Sequence, residues 1–443
     1  MDIRFYNSLS RKVETFVPIK ENEVSIYVCG PTVYNDPHIG NMRPAVFFDT
    51  LNRFFVYLEY NVKYVSNFTD VDDKIINKAI EEGTDEKTIS ERYIKSYVET
   101  LNDLNVLPSY KNPRVTEYMP QIISYIECLV DKGNAYVNDN EVFFDVHSIP
   151  EYGELSNTKI DELVSGARIE TNNKKKSPLD FLLWKNTDKG IKWHTRWCEG
   201  RPGWHTECCV MIDSIFGGHI DIHGGGMDLK FPHHENEIAQ TMAMHGTHLA
   251  NYWIHTAMMN INGDKMSKSL GNVVLAKDAI KTYGGDVIRL FLLNASYRSI
   301  INLNDDTIND TKAIYSKIIT IYKQLNLLLG TRRIPLKGHS LMINPFLDCL
   351  KDDINIPNAI TYLLDIVKKA NQEIRNKNSS NELLKEYFYT LNDGLWVLGL
   401  NVFPRIYQDE EILLYNNYLK AKEDKNFQLS DKLREELIKK NIL

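Results

Sequence analysis

The chain has 443 residues, of which 43% are hydrophobic and 25% are charged, and its formal net charge is −7. This length can build two or three domains with substantial cores. The negative balance excludes a globally basic nucleic-acid-binding surface, so any RNA contact has to use local basic patches. Six irregularly spaced cysteines do not make a disulfide framework, and no apolar run is long enough to span a membrane. We therefore expect a reducing, cytoplasmic location.

A predicted strand over residues 25–29 ends in a Gly-Pro turn. An amphipathic helix is predicted over residues 41–60, where apolar residues recur at intervals of three to four. His38, Gly40 and Asn41 therefore stand at the helix N-terminus, where free backbone N–H groups and the helix dipole attract phosphate. Gly40 has no side chain to keep a nucleotide at a distance.

A second strand and a second helix are predicted over residues 62–67 and 74–82. This order is the opening of an α/β fold, a doubly wound parallel, Rossmann-like nucleotide-binding domain. An α/β insertion of about residues 84–195 interrupts it. The insertion contains two amphipathic helices and a hairpin, predicted over residues 88–107, 116–132 and 135–146.

The insertion ends in a polar loop with three consecutive lysines at residues 174–176. These lysines are a candidate RNA contact, although such a run is more often simply a solvated surface. Residues 179–185 are expected to lead back to the core of the nucleotide-binding domain.

A lysine-rich loop over residues 263–272 follows a late strand predicted at 251–258. Lys265 and Lys268, followed by a flexible Gly-Asn pair, can close over a triphosphate and neutralise the charge on departing pyrophosphate. The loop and the His38 motif are each weak signals alone. Together they indicate a site that uses ATP to activate a carboxylate.

The remainder of the chain is helical in pattern. An amphipathic helix is predicted over residues 276–293, and an all-α helical bundle from about residue 305 onward, with loops at 330–339 and 376–380.

A metal site is possible but not specified by spacing alone. His233 and Glu237 are four residues apart in a predicted helix over 231–244, so both side chains lie on one face. Such a pair is more often a surface contact. Cys29 and Cys208 are suitable soft partners for zinc, but their spacing is not that of a linear zinc finger.

The chain resembles the class I aminoacyl-tRNA synthetases and, within them, the cysteinyl-tRNA synthetase family. The resemblance extends over nearly the whole chain and is strongest in the blocks at residues 27–34, 67–76, 200–208, 221–229, 231–237 and 265–272. The nucleotide motifs specify only the class, whereas the middle blocks specify cysteine. The generic class motif has histidine where this chain has Asn41, and we expect the asparagine to retain a hydrogen-bonding contact.

The resemblance implies one Zn²⁺ per chain, which binds the sulfur of the substrate. Its ligands in the family pattern correspond to Cys29, Cys208, His233 and Glu237. The adjacent Cys209 and His234 are expected to pack nearby instead. Zinc would help the protein to distinguish cysteine from serine. An apolar pocket alone discriminates between such near-isosteres by only about 10–200-fold.

The resemblance also implies the remaining roles. The rest of the amino-acid pocket is lined by Thr69, Trp204, His223 and Asp228. The residues that act on ATP and its Mg²⁺ are His38, Gly40, Asn41, Lys265 and Lys268. The implied substrates are L-cysteine, ATP and tRNA(Cys), and we expect a monomer.

Three domains follow from this resemblance: a catalytic domain at 1–300, a helical bundle that contacts the tRNA stem at 301–405, and a tail at 406–443. The tail resembles the start of an anticodon-reading domain that stops early at Leu443, which leaves anticodon recognition open.

Two alternative functions remain open. A cysteine ligase of the mycothiol-pathway type passes cysteine to an amino sugar, but the helical region after residue 305 counts against it. A zinc-stabilised RNA-binding protein without activity has no use for the intact His38, Gly40, Lys265 and Lys268.

Overall fold

The computed structural model describes residues 2–158, 174–267, 270–376, 378–440 and 442. Lys268, predicted to act on ATP, lies outside the described residues. None of the described helices has the length and apolarity needed to cross a membrane.

The strands, in chain order, are β1 Arg4–Asn7, β2 Lys12–Thr15, β3 Glu23–Val28, β4 Asn61–Ser66, β5 Ala135–Asn138, β6 Glu141–Phe144, β7 Phe181–Asn186, β8 Trp193–His194, β9 Glu199–Pro202, β10 Ile220–Gly226, β11 Ala250–Thr256, β12 Met259–Ile261, β13 Asp264–Lys265 and β14 Ile301–Leu303. The described α-helices are α1 Ile39–Tyr57, α2 Asp73–Glu82, α3 Glu86–Asp103, α4 Met119–Asp131, α5 Trp204–Phe216, α6 Glu235–His245, α7 Ala276–Tyr283, α8 Gly285–Leu293, α9 Asp305–Thr331, α10 Asn344–Lys351, α11 Ile356–Arg375, α12 Asn381–Val397, α13 Asp409–Glu423 and α14 Phe427–Lys439.

A four-stranded parallel sheet in the order β4-β3-β10-β11 forms the centre of the first half. Successive side chains of a strand point to opposite faces, and the two faces of this sheet belong to two separate cores. Ile26 packs in the core that contains α1, whereas Tyr27 packs in the core that contains α5 and α6. Helices on both faces of a parallel sheet confirm the predicted doubly wound α/β fold.

The insertion carries a second sheet, which is antiparallel and has the order β5-β6-β7-β9-β8. The predicted hairpin is present as β5 and β6. Residues 181–186 form the middle strand β7, and Phe181, Leu183 and Trp184 pack in the core that contains α5 and α6, which agrees with the expected return to the core. The sheet continues to Pro202, directly before α5.

The second half is helical, as predicted. Helices α9, α11 and α12 pack against one another, and Asp353 ties them to the first half. Its carboxylate accepts hydrogen bonds from the Tyr6 backbone N–H at 2.8 Å and the Tyr297 hydroxyl at 2.6 Å. Helices α13 and α14 pack as a pair, and Leu437 and Ile442 bury against Leu327 of α9.

Two helices differ from the prediction. The stretch 276–293 forms α7 and α8, because Gly284 has φ +87° and interrupts the helical path. The stretch 231–244 becomes α-helical only at Glu235, after a π-helical turn in which Phe231 is extended. The apolar periodicity of each stretch continues through the break, so it does not reveal it.

Candidate active site and metal centre

The His38 motif lies at the N-terminus of α1. The side-chain oxygen of Asn41 accepts a hydrogen bond from the His38 backbone N–H at 3.1 Å. Asn41 therefore makes a contact, but one that caps its own helix. A Cβ added at Gly40 would come within 2.8 Å of the Met266 Cε and 3.1 Å of the His38 ring, so Gly40 lies closely packed between these two side chains.

The lysine loop is attached to this motif by backbone hydrogen bonds. The Ile39 N–H donates to the Val274 carbonyl at 2.9 Å, and the Ala276 N–H donates to the Pro37 carbonyl at 2.9 Å. The two halves of the nucleotide motif, more than two hundred residues apart, therefore meet through the segment that follows the loop.

The start of the loop is a tight hairpin. Lys265, in β13, pairs with Asn260 of β12, and its side chain is exposed. The Asn272 side chain accepts from the Ser267 N–H at 2.9 Å and donates to the Lys265 carbonyl at 3.2 Å. Asn272 thus holds the described part of the loop in a defined conformation.

A cavity of about 270 Å³ lies at the carboxyl ends of the parallel strands, where doubly wound folds bind ligands. The predicted site residues on its wall are Cys29, His38, Gly40, Asn41 and Asp228. Met266 of the lysine loop also contributes. The cavity therefore connects the nucleotide motif at one end with a cysteine of the predicted metal site at the other.

The four predicted metal ligands come together. Cys29 follows β3, Cys208 lies in α5, His233 in the π-helical turn and Glu237 in α6. Their ligand atoms all lie within 4.8 Å of one another.

The distances within this cluster suit one ion. The Cys29 Sγ lies 3.5 Å from the Cys208 Sγ and 3.5 Å from the Glu237 Oε1. The His233 Nε2 lies 3.8 Å from the Cys208 Sγ and 2.8 Å from the Glu237 Oε1. Tetrahedral zinc with ordinary bond lengths separates its ligands by roughly 3.3–3.8 Å, so small movements suffice to complete the coordination.

A second group of potential ligands shares two members with the first. Cys29, His223, His234 and Glu237 also lie within 4.8 Å of one another. However, both ring nitrogens of His223 are engaged: Nδ1 lies 3.1 Å from the Tyr27 carbonyl and Nε2 lies 2.5 Å from the Glu237 Oε2. His223 therefore supports Glu237 from behind. The first group also offers two thiols, which suits zinc better.

Protonation in the cluster is set by its own members. The hydrogen bond from Cys29 outweighs burial and lowers the pKa of Cys208 to about 6. Burial raises the pKa of Cys29 well above its usual range. Burial alone would also raise the pKa of Glu237, but His223 and His233 hold it well below its usual range. The cluster therefore favours the thiolate of Cys208 and the carboxylate of Glu237, whereas Cys29 has to lose its proton when it binds a metal ion.

Two residues beside this cluster were missed by the sequence analysis. The His205 Nδ1 lies 3.0 Å from the His233 Nδ1. If the His233 Nε2 lone pair faces a metal, its Nδ1 carries the proton and donates to His205. Burial lowers the pKa of His205 to about 3, which keeps this acceptor neutral. The other residue is Glu207, whose Oε2 accepts from the Thr69 hydroxyl at 2.9 Å.

The remaining predicted pocket residues lie around the metal cluster rather than on the cavity wall. Trp204 stacks on His233 with 4.2 Å between ring centroids and is 40% exposed. Thr69 and His223 are buried. Trp204 therefore packs on a predicted metal ligand, and His223 contacts a second one, Glu237.

The lysine triplet 174–176 serves the insertion itself. The Lys174 Nζ lies 2.6 Å from the Asp139 carboxylate and 3.1 Å from the Glu141 carboxylate. The Lys176 Nζ lies 4.2 Å from the centre of the Tyr136 ring. These partners belong to β5, β6 and the turn between them, so the triplet is a weak candidate for RNA contact.

Similar proteins were found by sequence and by structure. Residues 15–313 match the family of tRNA synthetases class I (C) catalytic domains, and residues 345–403 match the DALR domain. The cysteine–tRNA ligase of Bacillus licheniformis is 42% identical, over 100% of this chain and 97% of that protein. Those of Halalkalibacterium halodurans and Oceanobacillus iheyensis are each 43% identical with the same coverage.

Solved structures with the same fold are more distant in sequence. A Mycobacterium tuberculosis methionyl-tRNA synthetase in complex with methionyl-adenylate has a TM-score of 0.62 at 14% identity, over 85% of this chain and 89% of that chain. A putative arginyl-tRNA synthetase from Campylobacter jejuni has a TM-score of 0.57 at 13% identity, over 87% and 94%. At these identities the likeness shows the fold alone. The sequence matches go further, and the chain belongs to the cysteine–tRNA ligase family of class I tRNA synthetases.

Proposed function

We propose that the protein attaches L-cysteine to tRNA(Cys) in two steps. The cysteine carboxylate attacks the α-phosphate of ATP, which forms cysteinyl-adenylate and releases pyrophosphate. A terminal ribose hydroxyl of the tRNA then attacks the cysteinyl carbonyl and releases AMP. The observation that carries this proposal is that one cavity joins the His38 motif to the Cys29 metal cluster.

The chain's own groups supply positioning and charge. The N-terminus of α1, with His38, Gly40 and Asn41, is oriented to bind phosphate, and Mg²⁺ accompanies the ATP. Lys265 and Lys268 neutralise the charge of the leaving pyrophosphate. No side chain has to form a covalent intermediate, because orienting the two substrates lowers the barrier by itself.

We further propose that Cys29, Cys208, His233 and Glu237 hold one Zn²⁺. When bound, this ion supplies a soft cation that favours a thiolate over an alcohol. Trp204 and Thr69 border the same position, His223 holds Glu237 in place, and Asp228 lies on the cavity wall. The chain therefore distinguishes cysteine from serine by coordination chemistry rather than by size.

The domain roles are proposals of the same kind. Residues 1–300 form the catalytic domain, with the insertion at about 84–195 and the lysine loop at 263–272. Residues 301–405 contact the tRNA stem, and residues 406–443 form a short anticodon-domain-like tail. We propose a monomer that acts in the cytoplasm, where its product serves translation.

One pair of assays tests the reaction against its alternatives. We expect cysteine-dependent ATP–pyrophosphate exchange, followed by transfer of radiolabelled cysteine to tRNA(Cys). Transfer to an amino sugar instead would establish the alternative ligase. Absence of exchange in the zinc-loaded protein would leave only an RNA-binding role and would reject the proposal.

A further inference from the structure

Arg43 is a buried charge that lies two residues after Asn41 on α1. Its side chain is 2% exposed. The guanidinium donates four hydrogen bonds, all to backbone carbonyls: Ala257 at 2.7 Å, Met258 at 2.8 Å, Ser296 at 3.1 Å and Ser299 at 2.5 Å. Among the described residues, no carboxylate forms an ion pair with Arg43.

The other buried arginines nearby are different. Arg53, on the same helix and also 2% exposed, pairs with Asp49 at 2.8 Å, and Arg289 pairs with the same carboxylate. A buried charge without a counter-charge is costly unless its hydrogen bonds are well satisfied. Burial accordingly lowers the pKa of Arg43 to about 10. The four hydrogen bonds to carbonyls therefore offset the cost of burying the Arg43 charge.

Two of those carbonyls belong to the wall of the nucleotide cavity. Ala257 and Met258 lie between the end of β11 and the start of β12, and both line the cavity. Consecutive carbonyls of an extended strand point in opposite directions, whereas both of these turn towards Arg43. Because a trans peptide places its N–H opposite its carbonyl, the Met258 N–H points away from the guanidinium.

The other two carbonyls anchor the opposite side of Arg43. Ser296 and Ser299 flank Tyr297 and Arg298, whose side chains both bind Asp353. Arg43 therefore holds the cavity wall against a turn that is itself fixed to the helical half. None of the four carbonyls belongs to the metal cluster or to a residue adjacent to it.

We propose that Arg43 is a positioning residue for ATP. It fixes the backbone at Ala257 and Met258 in the form that the nucleotide requires, and it acts without touching the cysteine pocket. This inference rests on the proposed function. It predicts that weakening the four hydrogen bonds impairs use of ATP selectively, whereas a general loss of stability would affect both small substrates.

The test uses Arg43→Lys in the full-length, zinc-loaded protein, with Arg53→Lys as the matched control. Lysine keeps the charge but cannot reach four carbonyls in the fixed geometry of a guanidinium. In cysteine-dependent ATP–pyrophosphate exchange, we expect Arg43→Lys to raise the KM for ATP at least ~10-fold. We expect the KM for cysteine and the zinc content to remain within ~2-fold of the unsubstituted protein, and Arg53→Lys to leave the KM for ATP unchanged.

Several results would overturn the inference. These are an unchanged KM for ATP, equal rises in both KM values, or the same ATP-specific effect in Arg53→Lys. Arg43→Gln, which keeps two donors without the charge, is the second variant, and we expect an equal or larger effect there. If neither Arg43 variant folds, the residue is structural and the inference fails. Absence of exchange in the unsubstituted protein would instead reject the proposed function.

Discussion

Cys208 and Cys209 are neighbours with similar burial, yet their thiols have different surroundings. The Cys208 Sγ lies among the other proposed zinc ligands. The Cys209 Sγ instead lies 3.6 Å from each of the backbone carbonyl oxygens of His205 and Glu237, to which it donates. Residue spacing does not distinguish the two residues, because either could face the histidines. The family resemblance assigns the ligand role to Cys208, and the different environments of the two thiols agree with that assignment.

This difference yields a paired prediction. Cys208→Ser should lose the bound zinc, because an alcohol is not deprotonated to the extent that a thiolate ligand is. Cys209→Ser should keep about one zinc per chain, since the serine can make the same hydrogen bonds to carbonyls. Atomic absorption of the two purified variants measures this directly. Retention of stoichiometric zinc by Cys208→Ser would disprove the ligand assignment.

A second prediction concerns His255, which lies behind the metal cluster. Its Nδ1 lies 2.8 Å from the Ser8 hydroxyl and its Nε2 lies 2.8 Å from the His234 Nδ1. Burial lowers the pKa of His255 to about 3. The folded protein therefore keeps this imidazole neutral at pH values where the unfolded chain protonates it, below an ordinary histidine pKa of about 6.5.

The sign follows from proton linkage. Stability from the neutral ring is complete above about pH 6.5 and is lost as the pH falls towards about 3. Between about pH 7 and about pH 5.5, one such histidine lowers the free energy of unfolding by ~1 kcal/mol. The His255→Asn variant retains a hydrogen-bond partner for Ser8. Over this pH interval, its free energy of unfolding should fall by ~1 kcal/mol less than that of the unsubstituted protein, as measured by urea titration. An identical pH dependence in the two proteins would show that His255 is not kept neutral.

At the scale of elements, the lysine loop and the His38 motif are far apart in the sequence but adjacent in the structure. Backbone bonds between Ile39 and Val274 hold its far end at the His38 motif, and Asn272 fixes its near end. The two ends of the loop are therefore anchored, and the mobile lid expected from the sequence stays a prediction for the residues between them. Its lysines can approach phosphate without disturbing the metal cluster.

The corresponding prediction is that Lys268→Ala slows adenylate formation. Loss of one preorganised charge stabiliser raises a barrier by ~2–4 kcal/mol. Binding of cysteine should change little, because the proposed zinc site lies at the other end of the cavity. Lys281→Ala, an exposed lysine on α7, is the matched control and should leave the rate unchanged. Rapid-quench measurement of adenylate tests both, and an unaffected Lys268→Ala would assign the phosphate contacts to Lys265 or to the backbone.

Elements with a strong local pattern were predictable from the sequence. Strands β3 and β4 and helices α1 and α2 were predicted to within a few residues. Their apolar residues follow the patterns typical of buried strands and amphipathic helices. Strands β8 and β9 were missed. They are only two and four residues long, too short for a recognisable alternation, and they form because β9 pairs with the edge of β7 and β8 pairs with β9.

At the scale of the whole molecule, the site is assembled by topology. Cys29 and Cys208 are far apart in the chain, and they meet because β3 and β10 are adjacent parallel strands while α5 leads directly into β10. Residue spacing cannot reveal this arrangement. The family resemblance predicted it, because the family pattern assigns all four metal ligands together. The contacts of His205, Glu207 and Arg43 follow neither from residue spacing nor from the resemblance, and only the structure shows them.

The helical half bears on the proposed tRNA contact. Asp353 fastens it to the catalytic half through Tyr6, Tyr297 and Arg298, so the bundle has a defined position relative to the cavity. The tail helices add to the bundle through Leu437. A tRNA stem bound by the bundle would therefore present its end to the cavity at a fixed distance.

The central claim is that cysteine is selected by coordination to a metal held by Cys29, Cys208, His233 and Glu237. Its most direct test is the ratio of kcat/KM for cysteine to that for serine, measured in ATP–pyrophosphate exchange with the zinc-loaded, full-length protein. Selection by size alone allows about 10–200-fold. We predict a ratio well above ~200. A ratio within that range would show that the pocket discriminates by shape, and would contradict the proposed role of the metal centre.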